Sequence, residues 1–186
     1  YQILRDLTCV LSLSGIDYFI TYGTFLGAKR HGGFIPWDTD VDIGIFRSDY
    51  SEILSLITIE LGKKYTIKVC GPNLIRVYFS EINGLHCDLE IWDLEGDDLV
   101  FSFDVYTGEY RCAIQSVVPV KKYSMYDLEV LGPATDVLLR DVYGENYMKV
   151  AVRKYDTKRP PSDLTDFSPA KINKSLITPP STRVVP

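Results

Sequence analysis

"YGTFLGAKRHGGFIPWDTDVDI", Tyr22–Ile43, gathers glycines, basic side chains and the aspartates Asp38, Asp40 and Asp42 just ahead of an apolar run. From Asp40 to Phe46 the chain alternates, with Val41, Ile43 and Ile45 on one side and Asp40, Asp42 and Gly44 on the other. That period of two predicts a half-buried strand. Asp40 and Asp42 then project from one face, where two carboxylates repel unless a cation joins them or one keeps its proton. Hard oxygen donors of this kind suit Mg2+ or Mn2+, which bind through one or two carboxylates together with substrate phosphates. Taken alone, the pattern reads more readily as two solvated acids at the start of a strand.

A second alternating segment strengthens the chemical reading. "LHCDLEIWDL", Leu85–Leu94, sets His86, Asp88 and Glu90 against Cys87, Leu89 and Ile91. If this strand neighbours 40–46, Asp88 completes an acidic triad of the kind that serves two-metal phosphoryl transfer. A metal-binding Asp can also take a proton from an attacking hydroxyl. The competing reading of Asp88 and Glu90 is an exposed sheet face balanced by Lys or Arg. Upstream, Gly23-Thr24 follows an expected strand and precedes a short helix over "FLGAKRH", so exposed amides and the Thr24 hydroxyl can hold a phosphate. Lys29, Arg30 and His31 add charge-assisted donors. Gly32-Gly33 lets the chain turn back. Phe34 and Trp37 read as core packing rather than as a base-stacking platform.

Around these segments the pattern predicts a helix over 2–14, a strand over 16–22, and a helix from an N-cap at Ser48 to Leu61. Strands follow at 65–70, 73–80, 86–92, 98–106 and 110–118, and a helix at 133–144. This order is that of an α+β protein: a mixed sheet with flanking helices and the chemistry on one sheet face. Residues 1–159 read as one domain. Six of the ten prolines fall within 160–186 and no glycine follows Gly144, so 160–186 reads as an extended or partly disordered tail.

Composition narrows the choices. Of the 186 residues, 46% are hydrophobic and 24% charged, ordinary values for a globular protein. The net charge of −5 argues against general nucleic-acid binding. No apolar run approaches the roughly 20 residues of a membrane-spanning helix. The four cysteines contain no C-x-x-C pair, so buried free thiols, with room for one disulfide, are expected rather than zinc. Asn173-Lys174-Ser175 is a glycosylation sequon. A start at Tyr1 suggests a piece of a longer or processed chain, whose targeting signal need not be present.

Together these residues resemble the LicD/fukutin family of the nucleotidyltransferase-fold superfamily (DNA polymerase β-like). The signature is the aromatic-Gly-Thr start, L-G-A, basic-His, Gly-Phe-Ile-Pro-Trp-Asp and D-x-D-I, continued more weakly through "HCDLEIWDL", "VVPVKKYSMYDLEVLGPATDVLLRDVYGENYM" and "KRPP". The resemblance implies a transferase that moves a phospho-alcohol, of phosphocholine or ribitol phosphate type, from a CDP-linked donor to a glycan hydroxyl with release of CMP. It implies Asp40 and Asp42 as metal ligands, Asp88 as third ligand or base, and Gly23 and Thr24 at the donor diphosphate. Arg30, with Lys29 nearby, would neutralise the donor, and Asp38 would orient the metal site. Trp37, His31 and Glu90 are outer candidates. Where the family often has three consecutive acids this chain has Asp38-Thr39-Asp40, and it shows no cysteine-rich zinc module like that of fukutin-related protein. A eukaryotic member would work in the Golgi or ER lumen, a bacterial one in the cytoplasm or at the membrane. The alternatives are a nucleotidylyltransferase that transfers NMP, and a catalytically silent glycan-binding or scaffold domain.

Overall fold

The computed structural model describes residues 1–149 except 81, 83 and 105–107. The expected tail, its sequon and the last ten residues of the expected domain lie outside the described residues. Strand β1 (Tyr18–Ile20) pairs antiparallel with β2 (Asp40–Phe46), which pairs in parallel with β5 (His86–Glu95). On the far side of β5 come β4 (Leu74–Tyr78) and the edge strand β3 (Thr66–Val69), both antiparallel to their neighbours. The end of β5 continues into the antiparallel strands β6 (Asp98–Asp104) and β7 (Gly108–Ala113). A separate hairpin joins β8 (Lys121–Met125) to β9 (Leu128–Gly132). With its helices, this is the expected α+β mixed sheet.

Strand alternation divides the central sheet into two faces. Val41, Ile43 and Ile45 of β2 align with Cys87, Leu89 and Ile91 of β5 and Ile75 and Val77 of β4, and all are buried. Helix α1 (Gln2–Leu13) brings Ile3, Leu4, Leu7 and Leu11 to this core, and α3 (Tyr50–Leu61) brings Ile53, Ile57 and Leu61. Those positions recur at helical spacing, so one stripe of each helix is apolar. The two helices also pack on each other. Helix α2 (Tyr22–His31) instead packs against β2, the hairpin and α4 (Val137–Tyr143).

Several local expectations are corrected. The first strand stops at Ile20, and Gly23-Thr24 forms the first turn of α2 rather than a turn ahead of it. The cause is Thr21, whose amide donates to the Asp42 carbonyl while its own carbonyl accepts from Phe25 and starts the helix. Ser48 is not the cap of α3. Arg47–Asp49 forms a single 3-10 turn, and Asp49 precedes the helix. Arg47 fixes this turn with a two-pronged pair to Asp93, both distances 2.8 Å, and a bond to the Pro72 carbonyl. The expected strand 110–118 ends at Ala113, and the last helix begins only at Val137. Trp37 is 41% exposed rather than core, whereas Phe34 packs on Tyr126. All four cysteines are free, Cys9 and Cys70 exposed, Cys87 and Cys112 buried.

The hairpin β8–β9 is the element that the pattern does not announce. Its turn is Tyr126-Asp127, without the usual glycine or asparagine. Tyr126 adopts a φ of 57°, and the strain is offset by tertiary contacts. Its amide donates to the Gly32 carbonyl at 2.7 Å, and its hydroxyl accepts from the Phe34 amide at 2.9 Å. A Cβ on Gly33 would meet the Tyr126 ring at 2.6 Å.

Gly27 permits a second close approach. A Cβ there would stand 2.5 Å from the Gly33 carbonyl oxygen and 3.2 Å from the Ile35 amide nitrogen, backbone atoms with little room to move. Gly27→Ala is expected to lower stability by about 1–3 kcal/mol in urea unfolding. Gly84→Ala, where nothing lies within 4 Å, is the control and is expected to stay within about 0.5 kcal/mol.

Candidate active site

The parallel register sets Asp40 beside His86, Asp42 beside Asp88 and Gly44 beside Glu90. Antiparallel β4 adds Tyr78 beside His86 and Arg76 beside Asp88. Asp40, Asp42 and Asp88 thus share the face opposite the apolar one, as the alternation predicts. Further along the strands this face becomes aromatic. Trp92 packs on Phe19, Phe101 and Tyr110, and Phe19 also meets Phe46. The Phe19 ring fills the space that a Cβ on Gly44 would need, 2.5 Å away. Glu90 sits where the two zones meet. It is 4% exposed and accepts hydrogen bonds from Thr21 Oγ1 at 2.9 Å and Trp92 Nε1 at 3.4 Å.

The first turn of α2 brackets the acid strand. Thr24 is fully buried and its Oγ1 accepts the Asp42 amide at 2.9 Å, so this hydroxyl holds β2 in place rather than lying open to a phosphate. Gly23 lies directly against the Asp38 carboxylate, which occupies the space that a side chain at 23 would take. The helix start, with its partial positive charge, therefore stands among acids. At the other end of α2 the basic residues have different partners. Lys29 Nζ pairs with Asp136 Oδ1 at 2.5 Å, and Arg30, 6% exposed, donates from Nη1 to the Tyr147 carbonyl at 2.8 Å. His31 is buried, and burial, then the Arg30 charge, pushes its pKa down to about 4, so its ring is neutral at ordinary pH.

Charge on the acid face is incompletely compensated. Burial, then the charges of Glu90, Asp40, Asp38 and Asp88, pushes the Asp42 carboxyl well above the usual range. Burial and the hydrogen-bonded Asp40 raise Asp38 to about 7. Burial lifts Glu90 to about 8, against the opposing hydrogen bonds from Thr21 and Trp92. Among the described residues of this face, Asp88 is the acid paired with an Arg. Arg76 grips both its oxygens, Nε to Oδ1 at 2.6 Å and Nη2 to Oδ2 at 2.8 Å. Among the described residues no three or more His, Cys, Asp or Glu side chains are already gathered as a metal cage. The donor set still suits a hard divalent cation: Asp38, Asp40 and Asp42 are oxygen donors whose mutual repulsion a cation would relieve.

Arg76, Tyr78 and Thr21 belong to this face without having been singled out from the sequence, and His86, which the alternation sets beside Asp88 and Glu90, is given no role there. The alternation in "LIRVY" marks Arg76 and Tyr78 as sharing a face, but nothing local reveals that β4 lies beside β5.

The architecture is that of a nucleotidyltransferase fold. It superposes on the crystal structure of ANT(2")-Ia in complex with adenylyl-2"-tobramycin with a TM-score of 0.55 at 10% identity, covering 87% of this chain and 79% of that one. The family model described as "LicD/FKTN/FKRP, nucleotidyltransferase domain" matches residues 15–135, and the chain belongs to this family. The ribitol 5-phosphate transferase FKRP of Homo sapiens is 40% identical over 91 residues, 46% of this chain and 18% of that protein. The lipopolysaccharide cholinephosphotransferase LicD of Haemophilus influenzae is 29% identical over 92 residues, 49% of this chain and 34% of that protein. The chain spans half or less of the length of the curated relatives it matches.

The raised carboxyls have a measurable consequence. A buried acid whose pKa lies above its unfolded value, about 4, binds a proton in the folded state that the unfolded chain has released. Stability therefore falls as pH rises from about 4 toward 8, by up to about 1.4 kcal/mol per pH unit for each such group. His31, with its lowered pKa, acts in the opposite direction between about 4 and 6.5, so the comparison is made above that range. With chelator present, Glu90→Gln is expected to reduce the fall in unfolding free energy between pH 6.5 and 8 relative to the parent, measured by urea titration. Parallel curves in that window would contradict the raised Glu90 pKa.

Proposed function

We propose that the chain carries a metal-dependent transferase site that moves a phospho-alcohol from a CDP-linked donor to a glycan hydroxyl and releases CMP. The observation that carries this reading is the in-register placement of Asp40, Asp42 and Asp88 on one face, beneath the start of α2, in a LicD-family domain. Two relatives, a ribitol 5-phosphate transferase and a lipopolysaccharide cholinephosphotransferase, suggest the substrate class.

Asp40 and Asp42 would hold Mg2+ or Mn2+, with Asp38 orienting them from beside Gly23. Such an ion, when bound, neutralises the donor diphosphate and the charge that develops on its leaving oxygen. Asp88, fixed in orientation by Arg76, would accept the proton of the acceptor hydroxyl. The hydroxyl oxygen attacks the phosphorus bonded to the alcohol, a new P–O bond forms, and the bond to the CMP oxygen breaks with its electrons leaving on CMP. The α2 start adds partial positive charge to that region. The chain's own contribution is positioning and charge compensation, as in other phosphoryl transfers.

A thermal-shift screen of CDP-choline, CDP-ribitol, CDP-glycerol and CTP with Mn2+ tests the donor class, since a specific donor stabilises the native state. A CDP-alcohol is expected to raise Tm more than CTP does, and labelled donor is expected to yield CMP. Pyrophosphate in place of CMP would indicate NMP transfer. Asp40→Asn or Asp42→Asn is expected to lower turnover by about 10³-fold or more while leaving the metal-free protein folded and equally or more stable. Near-normal transfer in Asp40→Asn would sink the metal-dependent reading, and Mn2+ responses that ignore both substitutions would favour a silent binding domain.

A further inference from the structure

His86 lies on the acid face, in register with Asp40, and no role has yet been given to it. Its Nδ1 is 2.6 Å from the Gly84 carbonyl oxygen. A carbonyl can only accept, so Nδ1 carries the hydrogen, and a neutral ring then has its lone pair on Nε2. That nitrogen is 3.9 Å from Asp40 Oδ2 and 3.6 Å from Asp88 Oδ1. Both distances exceed an ordinary hydrogen bond. Nε2 thus stands within 4 Å of a carboxylate oxygen of Asp40 and of Asp88, in a place where the imidazole is only 17% exposed. The ring is held from its side as well, packed 5.5 Å from the Tyr78 ring. A backbone carbonyl on the distal N–H is the arrangement that orients metal-binding histidines.

Resting on the metal-dependent reading above, we infer that His86 is the nitrogen ligand of that centre, sharing the ion with Asp40, its neighbour in register, and that the site accordingly selects Mn2+ over Mg2+. Asp88 is the acid least in need of a cation, because Arg76 already engages each of its oxygens. Adjacent ligands at about 2.1 Å stand roughly 3.0–3.4 Å apart, so the 3.9 Å between His86 Nε2 and Asp40 Oδ2 needs to close by about half an ångström when both bind one ion. Imidazole nitrogen is a softer donor than carboxylate or water, and Mg2+ takes it reluctantly. An all-carboxylate centre would have no comparable preference.

The chain has two histidines, His31 and His86, so the ligand can be identified spectroscopically. The protein is prepared with natural-abundance and with 15N-labelled histidine, loaded with Mn2+ alone and with Mn2+ plus CDP, and examined by electron spin echo envelope modulation. The expected result is the modulation of a directly bound nitrogen, altered by the label and lost in His86→Phe, which retains a ring against Tyr78. His86→Gln serves should the phenylalanine variant fail to fold. Calorimetry is expected to show the Mn2+ dissociation constant of the variant raised by about ten-fold or more, with a smaller change for Mg2+. Bound Mn2+ without nitrogen coupling, or coupling that persists in both variants, would overturn the role of His86 and leave the carboxylate centre standing. No Mn2+ binding by the parent protein, with or without CDP, would overturn the metal-dependent reading and this inference together.

Discussion

The parallel pairing of β2 with β5 is the constraint on which the site depends. It places Asp42 beside Asp88 and Asp40 beside His86 on adjacent strands, about 4.8 Å apart. Like charges at that spacing are costly when buried, and the surrounding structure can be read as a set of responses to them. Arg76 answers Asp88 with a two-pronged ion pair from the next strand. Glu90 answers by taking up a proton more readily than an ordinary carboxyl. Asp42 is pushed up by burial first and then by the charges of Glu90, Asp40, Asp38 and Asp88. Asp42, whose amide donates to Thr24, and Asp40 beside it lie in the part of the face nearest the start of α2.

That helix is held in place by more than its own hydrogen bonds. Thr21 and Thr24 attach its first turn to the backbone of Asp42. Gly27 lets its middle approach the returning chain, and the Gly32 carbonyl accepts the Tyr126 amide of the hairpin. Lys29 and Arg30 reach toward the segment that contains α4. The basic residues of the signature thus position the helix, and the helix positions the acids. A site built on rigid elements in this way keeps its carboxylates oriented despite their repulsion.

Much of the site could be read from the residues. Strand alternation put Asp40 and Asp42 on one face and Asp88 and Glu90 on another segment with the same pattern, and the α+β order followed from the spacing of apolar positions. Less legible were the features that depend on contacts distant in sequence. Lys29 and Arg30 looked like phosphate ligands because their partners, Asp136 and Tyr147, lie more than a hundred residues away. Trp37 looked like core because an aromatic residue carries no mark of which way its loop turns. The β8–β9 hairpin was hidden because Tyr126 adopts its positive φ only with the help of Gly32, Gly33 and Phe34.

What the sequence by itself determined was the local chemistry: which acids share a face, which segments are strands or helices through β6, and the signature of the LicD family. Periodicity and turn preference act over a few residues, so they are written directly in the chain. Only the tertiary structure decided which strand lies beside which and in what register. Pairing is a long-range choice made by the whole core, and a shift of one residue would have turned Asp88 to the opposite face. That choice brought Arg76 to Asp88 and His86 to Asp40, and with them the charge balance of the site.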